Sequence, residues 1–280
     1  METVIGKSFD AERAFYNADG LYLKDCQFDG PADGESALKE GRQIVADNCF
    51  FNLRYPFWHD SHLKILNSTL TENCRAALWY SDHIQIDQCK LNGIKALREC
   101  SDARIENTEI DSPEFGWHSH HVSMNHVQAT SEYFMMRTHH LDLRNVDFKG
   151  KYSFQYTKNV VLENCNLDTK DAFWHAKNVI LRNCTVKGKY LAWYSENITF
   201  EHCTIIGTQP LCYCKNLQLI DCKMIDTDLS FERSEVDAAL TEPIESIKNP
   251  LSGTIVVPYA KQIIMDIDQA KGVVIETDKA

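Results

Sequence analysis

The sequence predicts an all-β fold: a right-handed parallel β-helix, a solenoid of about 11 coils of about 19 residues, with capping segments at both ends. Three observations predict it. One phrase recurs at a constant step of nineteen residues: KNVVLENCNLD (158–168), KNVILRNCTVK (177–187), ENITFEHCTII (196–206) and KNLQLIDCKMI (215–225). Within the phrase apolar and other residues alternate, which is the period of a strand. Equivalent places in successive repeats hold the same kind of side chain, as stacking at the strand spacing of about 4.8 Å requires.

The columns extend the repeat to about residues 12–232. One holds only small residues: Cys26, Cys49, Ser68, Cys89, Thr108, Val127, Val146, Cys165, Cys184, Cys203 and Cys222. The column before it is polar, running Asp25, Asn48, Asn67, Gln88, Asn107, His126, Asn145, Asn164, Asn183, His202 and Asp221. A second polar column runs His62, His83, Asp102, His121, His140, Asn159, Asn178, Asn197 and Asn216. Both suit turns whose side chains hydrogen-bond along the stack. Residues 233–280 lose the phrase and read as a C-terminal cap with last strands, so residues 1–280 are expected to form a single β-helix domain. A leucine-rich repeat needs 20–29 residues and a helical far side, and a pentapeptide repeat needs a period divisible by five. Neither fits nineteen.

Composition bounds the partners. The chain has 280 residues, 44% hydrophobic, and a net charge of −11, which disfavours nucleic acid and anionic membranes. The N-terminus METVIGKSFDAERAFYN has no apolar run, and no stretch approaches a membrane span of about 18 apolar residues. The expectation is therefore a cytoplasmic protein. Its eleven cysteines fall mainly in the small column and lack CxxC spacing, so they are read as reduced, buried thiols.

Function is sought in a second segment of the repeat, for example KALRE (95–99), EFGWH (114–118), YFMMR (133–137), YSFQY (152–156), DAFWH (171–175) and YLAWY (190–194). Read as a strand, its first and fifth places point outward. The second and fourth, including Trp79, Trp117, Trp174 and Trp193, then point inward, with Arg98 and Gln155 fitting poorly. The outer face becomes a flat sheet rich in tyrosine. On it Glu99, His118 and Arg137 occupy one place in consecutive coils, roughly 5 Å apart, an arrangement suited to proton transfer by His118. Tyr133, Tyr152, Tyr156, His175, Asp171, Glu114 and Tyr194 are the expected substrate-binding residues. The competing reading is a surface ion-pair ladder with a structural tyrosine stack. The histidines His118, His120, His121, His126, His139 and His140 raise a metal reading, but turn capping accounts for the column that holds His121 and His140. No metal is expected, and without GxxxxGK[ST], GxGxxG or GxSxG no cofactor is expected either.

GESALKE (34–40), SPEFGW (112–117), GKYSFQY (150–156), DTKDAFWH (168–175), GTQPLCYCKNL (207–217) and SIKNPLSGTI (246–255) closely resemble a microbial family known as domain of unknown function 3737. The resemblance covers nearly the whole chain. It implies a pectin-lyase-like right-handed β-helix and no established activity, so no catalytic residue is carried over. Many proteins of that fold bind or cleave polysaccharides. This chain departs from the secreted lyases among them in lacking a signal peptide and an evident acidic calcium cluster. The expected function is an intracellular carbohydrate-binding or carbohydrate-active protein of lyase, epimerase or hydrolase type, taking an oligosaccharide or sugar derivative. The alternative is a non-catalytic scaffold, with homo-oligomer contact through a sheet face.

Overall fold

The computed structural model describes residues 1–29 and 35–278. It is a parallel β-solenoid of about 14 turns of about 19 residues, with no helix among the described residues. It divides into two compact units, residues 1–142 and 143–280.

In the first unit the strands Glu2–Ile5, Asp19–Lys24, Arg42–Asp47, Ser61–Leu66, Asp82–Asp87, Ser101–Glu106 and His120–Ser131 each pair in parallel with the next. The aliphatic places of the phrase, such as Leu63, Ile65, Ile84, Ile86, Ala103 and Ile105, are buried. Phenylalanines stack inside, with Phe28 and Phe51 ring centroids 4.9 Å apart at 7°. In the second unit Lys158–Glu163, Lys177–Arg182, Glu196–Glu201 and Lys215–Ile225 stack the same way, over a core that includes Phe154 against Phe173 at 4.9 Å.

The coils run past both ends of the expected 12–232 span. Glu2–Ile5 pairs with Asp19–Lys24, so a rung precedes the expected first turn. Val236–Leu240, Thr254–Val257 and Val273–Glu276 continue the stack, with Ala238 opposite Ile255 and Val256 opposite Ile275. The segment read as a cap with last strands carries those strands as further rungs of the stack. Its steps still return each strand to the rung before, but its side chains no longer spell the phrase.

Both polar columns have left-handed backbone, the second of them within the strands, as His83 lies within Asp82–Asp87. Asp25, Asn48, Asn67, Gln88, Asn107 and His126, and likewise Asn145, Asn164, Asn183, His202 and Asp221, have φ between 47° and 54°. Asn, Asp and His tolerate that region better than most residues because their short side chains bond locally. The side chains also bond between coils. Asn178 Nδ2 donates to Asn159 Oδ1 (2.9 Å), Asn197 to Asn178 (3.0 Å) and Asn216 to Asn197 (2.9 Å). The small residue after each turn has its own task. Cys89 Sγ donates to Asp87 O (3.2 Å) and to Ile65 O in the preceding coil (3.3 Å), and Ser68 Oγ donates to Leu66 O (2.6 Å). All eleven cysteines are free and buried.

The second segment is where the expected register fails. It is not a pleated strand: in 190–194 the first, third and fifth residues, Tyr190, Ala192 and Tyr194, all have φ of 57–60°. Successive peptide units then bond to opposite neighbours. Phe173 N donates to Ser153 O of the coil before, and His175 N to Trp193 O of the coil after. Two-face alternation does not apply to such a backbone. The second and third places are buried, as with Ala172 and Phe173, and the fifth is exposed or half-exposed. The tryptophans are half-buried at the rim, not in the core. Their Nε1 groups donate to carbonyls of the next coil: Trp117 to Tyr133 O (3.2 Å), Trp174 to Tyr190 O (2.6 Å) and Trp193 to Gln209 O (2.8 Å). Gln155 Nε2 makes the equivalent bond to Asp171 O (2.8 Å), which explains its presence in that place.

Candidate functional site

The fifth place is a column of exposed or half-exposed side chains on left-handed backbone. In the first unit it runs His59, Tyr80, Glu99, His118 and Arg137, and in the second Tyr156, His175, Tyr194 and Tyr213. Rungs are fixed by main-chain bonds, such as Glu99 N to Trp117 O (2.8 Å) and His118 N to Met136 O (3.0 Å). The side chains therefore rise from rigid backbone.

Tyr80, Glu99, His118 and His120 line an open depression in the first unit. The structure thus brings Glu99 and His118 together and adds a phenol and a second imidazole. Arg137 is exposed in the next coil and does not line it. Beneath lies an ion network. Arg98 is inserted between two indoles, its guanidinium carbon 5.4 Å from the Trp79 ring and 5.2 Å from the Trp117 ring. Its Nε donates to Glu99 Oε1 (3.4 Å), and its Nη1 lies 3.8 Å from Glu114 Oε2. Lys95 Nζ is also 3.8 Å from Glu114. Glu99 consequently faces Arg98, and no ion pair joins it to His118 among the described residues. Arg98, one of the two residues that fitted the strand register poorly, contacts both carboxylates.

The expected binding residues divide. Tyr133 and Tyr152 are half-buried, while Tyr156, His175 and Tyr194 are exposed. In the second unit Tyr156, His175, Tyr194 and Tyr213 stack face to face at 5.0, 5.1 and 4.8 Å, within 12° of parallel. Their faces are covered by one another and their polar edges are presented. Glu114 is half-buried in the Arg98 network, not free on an outer sheet. Asp171, expected outside, is buried; burial pushes its carboxyl up, with Lys170 Nζ 3.8 Å away pulling the other way. The first place of the segment is buried or half-buried, as at Asp171, Glu114 and Lys95.

Sequence reasoning missed Tyr80 and His120 as members of the depression. Tyr80 shares the fifth-place column, so the nineteen-residue step was its signal. His120 lies two residues beyond His118, across a buried Ser119, on the strand that pairs Ser101 with His120. His121 and His140 stack at 4.7 Å in the turn column. No group of three or more His, Cys, Asp or Glu among the described residues is placed to hold a metal ion.

The sequence matches the family model "Protein of unknown function (DUF3737)" over residues 2–276. A search of curated proteins found no match. Among solved structures, the Agl-KA catalytic domain superposes with a TM-score of 0.51 at 10% identity, over 85% of this chain and 61% of that one. The chain thus spans less than two thirds of that protein's length. The Azotobacter vinelandii mannuronan C-5 epimerase AlgE4 A-module has a TM-score of 0.37 at 10% identity, covering 86% and 91%. The tailspike of E. coli bacteriophage HK620, solved with a hexasaccharide, has 0.44 at 12%, covering 95% and 67%. The Agl-KA likeness is one of fold.

Proposed function

The chain belongs to the DUF3737 family of proteins of unknown function, and from that premise we propose that it is a carbohydrate-active β-solenoid protein whose reacting centre is the depression of Tyr80, Glu99, His118 and His120. The observation that carries this reading is the convergence of a phenol, a carboxylate and two imidazoles in one open depression on rigid backbone. Such groups hydrogen-bond hydroxyls and move protons. His118 is the proposed proton-transfer residue, in a lyase, epimerase or hydrolase type of step. Glu99, held by Arg98, supplies a carboxylate to the same depression, and Arg137 stands in the next coil of the column. Within the first unit Tyr133 offers a further polar edge to sugar hydroxyls; on the second unit Tyr152, Tyr156, His175 and Tyr194 form a saccharide-binding row of their own. An intracellular setting is supported by eleven free thiols, all buried.

The test is a glycan array and a sugar-derivative panel read by thermal shift, followed by turnover assays on each binder. His118→Asn is the variant of choice, because Asn keeps the left-handed φ of 54° while removing the imidazole. The proposal expects at least one saccharide to raise the melting temperature, and His118→Asn to abolish its turnover with binding retained. Undiminished turnover in His118→Asn refutes the proposal. One observation favours a second reading, a non-catalytic scaffold: the ring faces of Tyr156, His175, Tyr194 and Tyr213 are spent on each other, as in a purely structural stack. A panel with no saccharide binder supports that reading.

A further inference from the structure

A second depression of about 280 Å³ opens on the strand face of the first unit. Its builders are three adjacent strands, Ser61–Leu66, Asp82–Asp87 and Ser101–Glu106. Gln85 lies opposite Lys64 on one side and Arg104 on the other. These three form a row, with the two cations about 10 Å apart across it. His62, His83 and Asp102, on left-handed backbone within the same three strands, flank the row, and the two imidazoles stack at 4.4 Å.

The polar groups are already oriented. Ser61 Oγ donates to Asp82 Oδ1 (2.6 Å), and that same oxygen lies 2.5 Å from His83 Nδ1. Nε2 of His83 is thereby left to other partners. The bond to Asp82 holds the His83 imidazole above its usual range, so the ring carries its proton more readily. Arg104 commits one nitrogen, Nη2, to Glu106 Oε1 (2.9 Å), leaving the rest of its fork. Lys64 forms no ion pair among the described residues. The one carboxylate in the lining, Asp102, lies 3.6 Å from His121 Nδ1.

We propose that this depression, with Lys64, Arg104, His62, His83 and Gln85 as donors, binds the phosphoryl group of a small phosphorylated metabolite. A planar carboxylate is satisfied by one fork. A tetrahedral dianion presents three oxygens and takes donors from several directions, here an ammonium, a guanidinium, imidazoles and an amide. The volume is near the lower end of small-molecule sites, about 300 Å³, which suits one small ester. On a chain of net charge −11 such a grouping of donors is not a generic surface. The site is separate from the depression at His118 and its occupancy does not depend on the carbohydrate reading.

The test is an NMR titration of the full chain, following the imidazole signals of His62 and His83. Inorganic phosphate and glucose 6-phosphate are compared with acetate and glucuronate. Saturating shifts with the two phosphates, weakened at least about tenfold by combined Lys64→Gln and Arg104→Gln, are expected. Both substituted side chains lie on the surface, so the melting temperature of the variant should match the parent and exclude unfolding as the cause. The proposal is overturned by the lack of a saturating shift, by undiminished binding in the variant, or by equal binding of acetate and glucuronate.

Discussion

Asp60 is packed against Gly41: Oδ1 accepts the Gly41 N–H at 3.0 Å, while Oδ2 lies buried with no partner. The residue is 1% exposed in a column that other coils fill with small residues, such as Ser81, Cys100 and Ala176. Burial drives its carboxyl well above the ordinary value, with the Gly41 bond opposing. A folded-state value raised above the unfolded one means that the neutral acid is the stable form. Its contribution is fully present below the unfolded value of about 4 and is lost as pH rises through the folded value. Asp60→Ser should therefore raise stability at pH 8 relative to the parent, on the order of 1–3 kcal/mol, and flatten the pH dependence. Urea midpoints at pH 5 and pH 8 check this; a parent and variant with parallel pH profiles would show that Asp60 is not the titrating group.

Arg98 links the indoles of Trp79 and Trp117 to the carboxylates of Glu99 and Glu114. Arg98→Ala removes two cation–π contacts, leaves Glu99 without its guanidinium and leaves Glu114 with Lys95 alone, a loss of about 1–3 kcal/mol. Arg98→Lys should recover little, because a point ammonium cannot stack as a planar guanidinium does. Denaturation followed by tryptophan fluorescence measures both; full recovery in the Lys variant would make charge alone the cause.

Asn178 both gives and takes an amide bond in its column and holds φ at 56°. Asn178→Ala loses the bonds and strains the backbone, so a loss of about 2 kcal/mol is expected. Asn178→Gly loses the bonds alone and should be less damaging. If the two variants melt together, backbone conformation contributes nothing at this turn.

The thiols should be silent until the chain unfolds. Burial pushes Cys89 up to about 11 and Cys100 up to about 12, and the thiolate is the reactive form. A thiol reagent should label none of the eleven in native protein and all of them in denaturant. Mass spectrometry should find no bond within Cys165, Cys184, Cys203 and Cys222, since stacked positions sit wider than a disulfide prefers. Native labelling of any of these four would show that the stack opens.

What the sequence determined by itself was the period. Nineteen-residue steps at Asn164, Asn183 and His202 require like to stack over like, so the parallel solenoid, its turn columns and its buried thiols follow from spacing alone. The same step placed Glu99 and His118 in neighbouring coils. Only the tertiary structure decided which way the second segment faces. Left-handed backbone at Tyr190, Ala192 and Tyr194 has no strict residue signature, and it abolishes the two-face alternation that the strand reading assumed. That one difference brought the tryptophans to the rim, buried Asp171, drew Glu114 into the Arg98 network and joined Tyr80 and His120 to His118. The last strands were expected, but the outer rungs do not spell the phrase, for a related reason. Their strands pair through main-chain bonds, which any residue but proline can make, so Val236–Leu240 and Val273–Glu276 continue the stack without repeating its phrase.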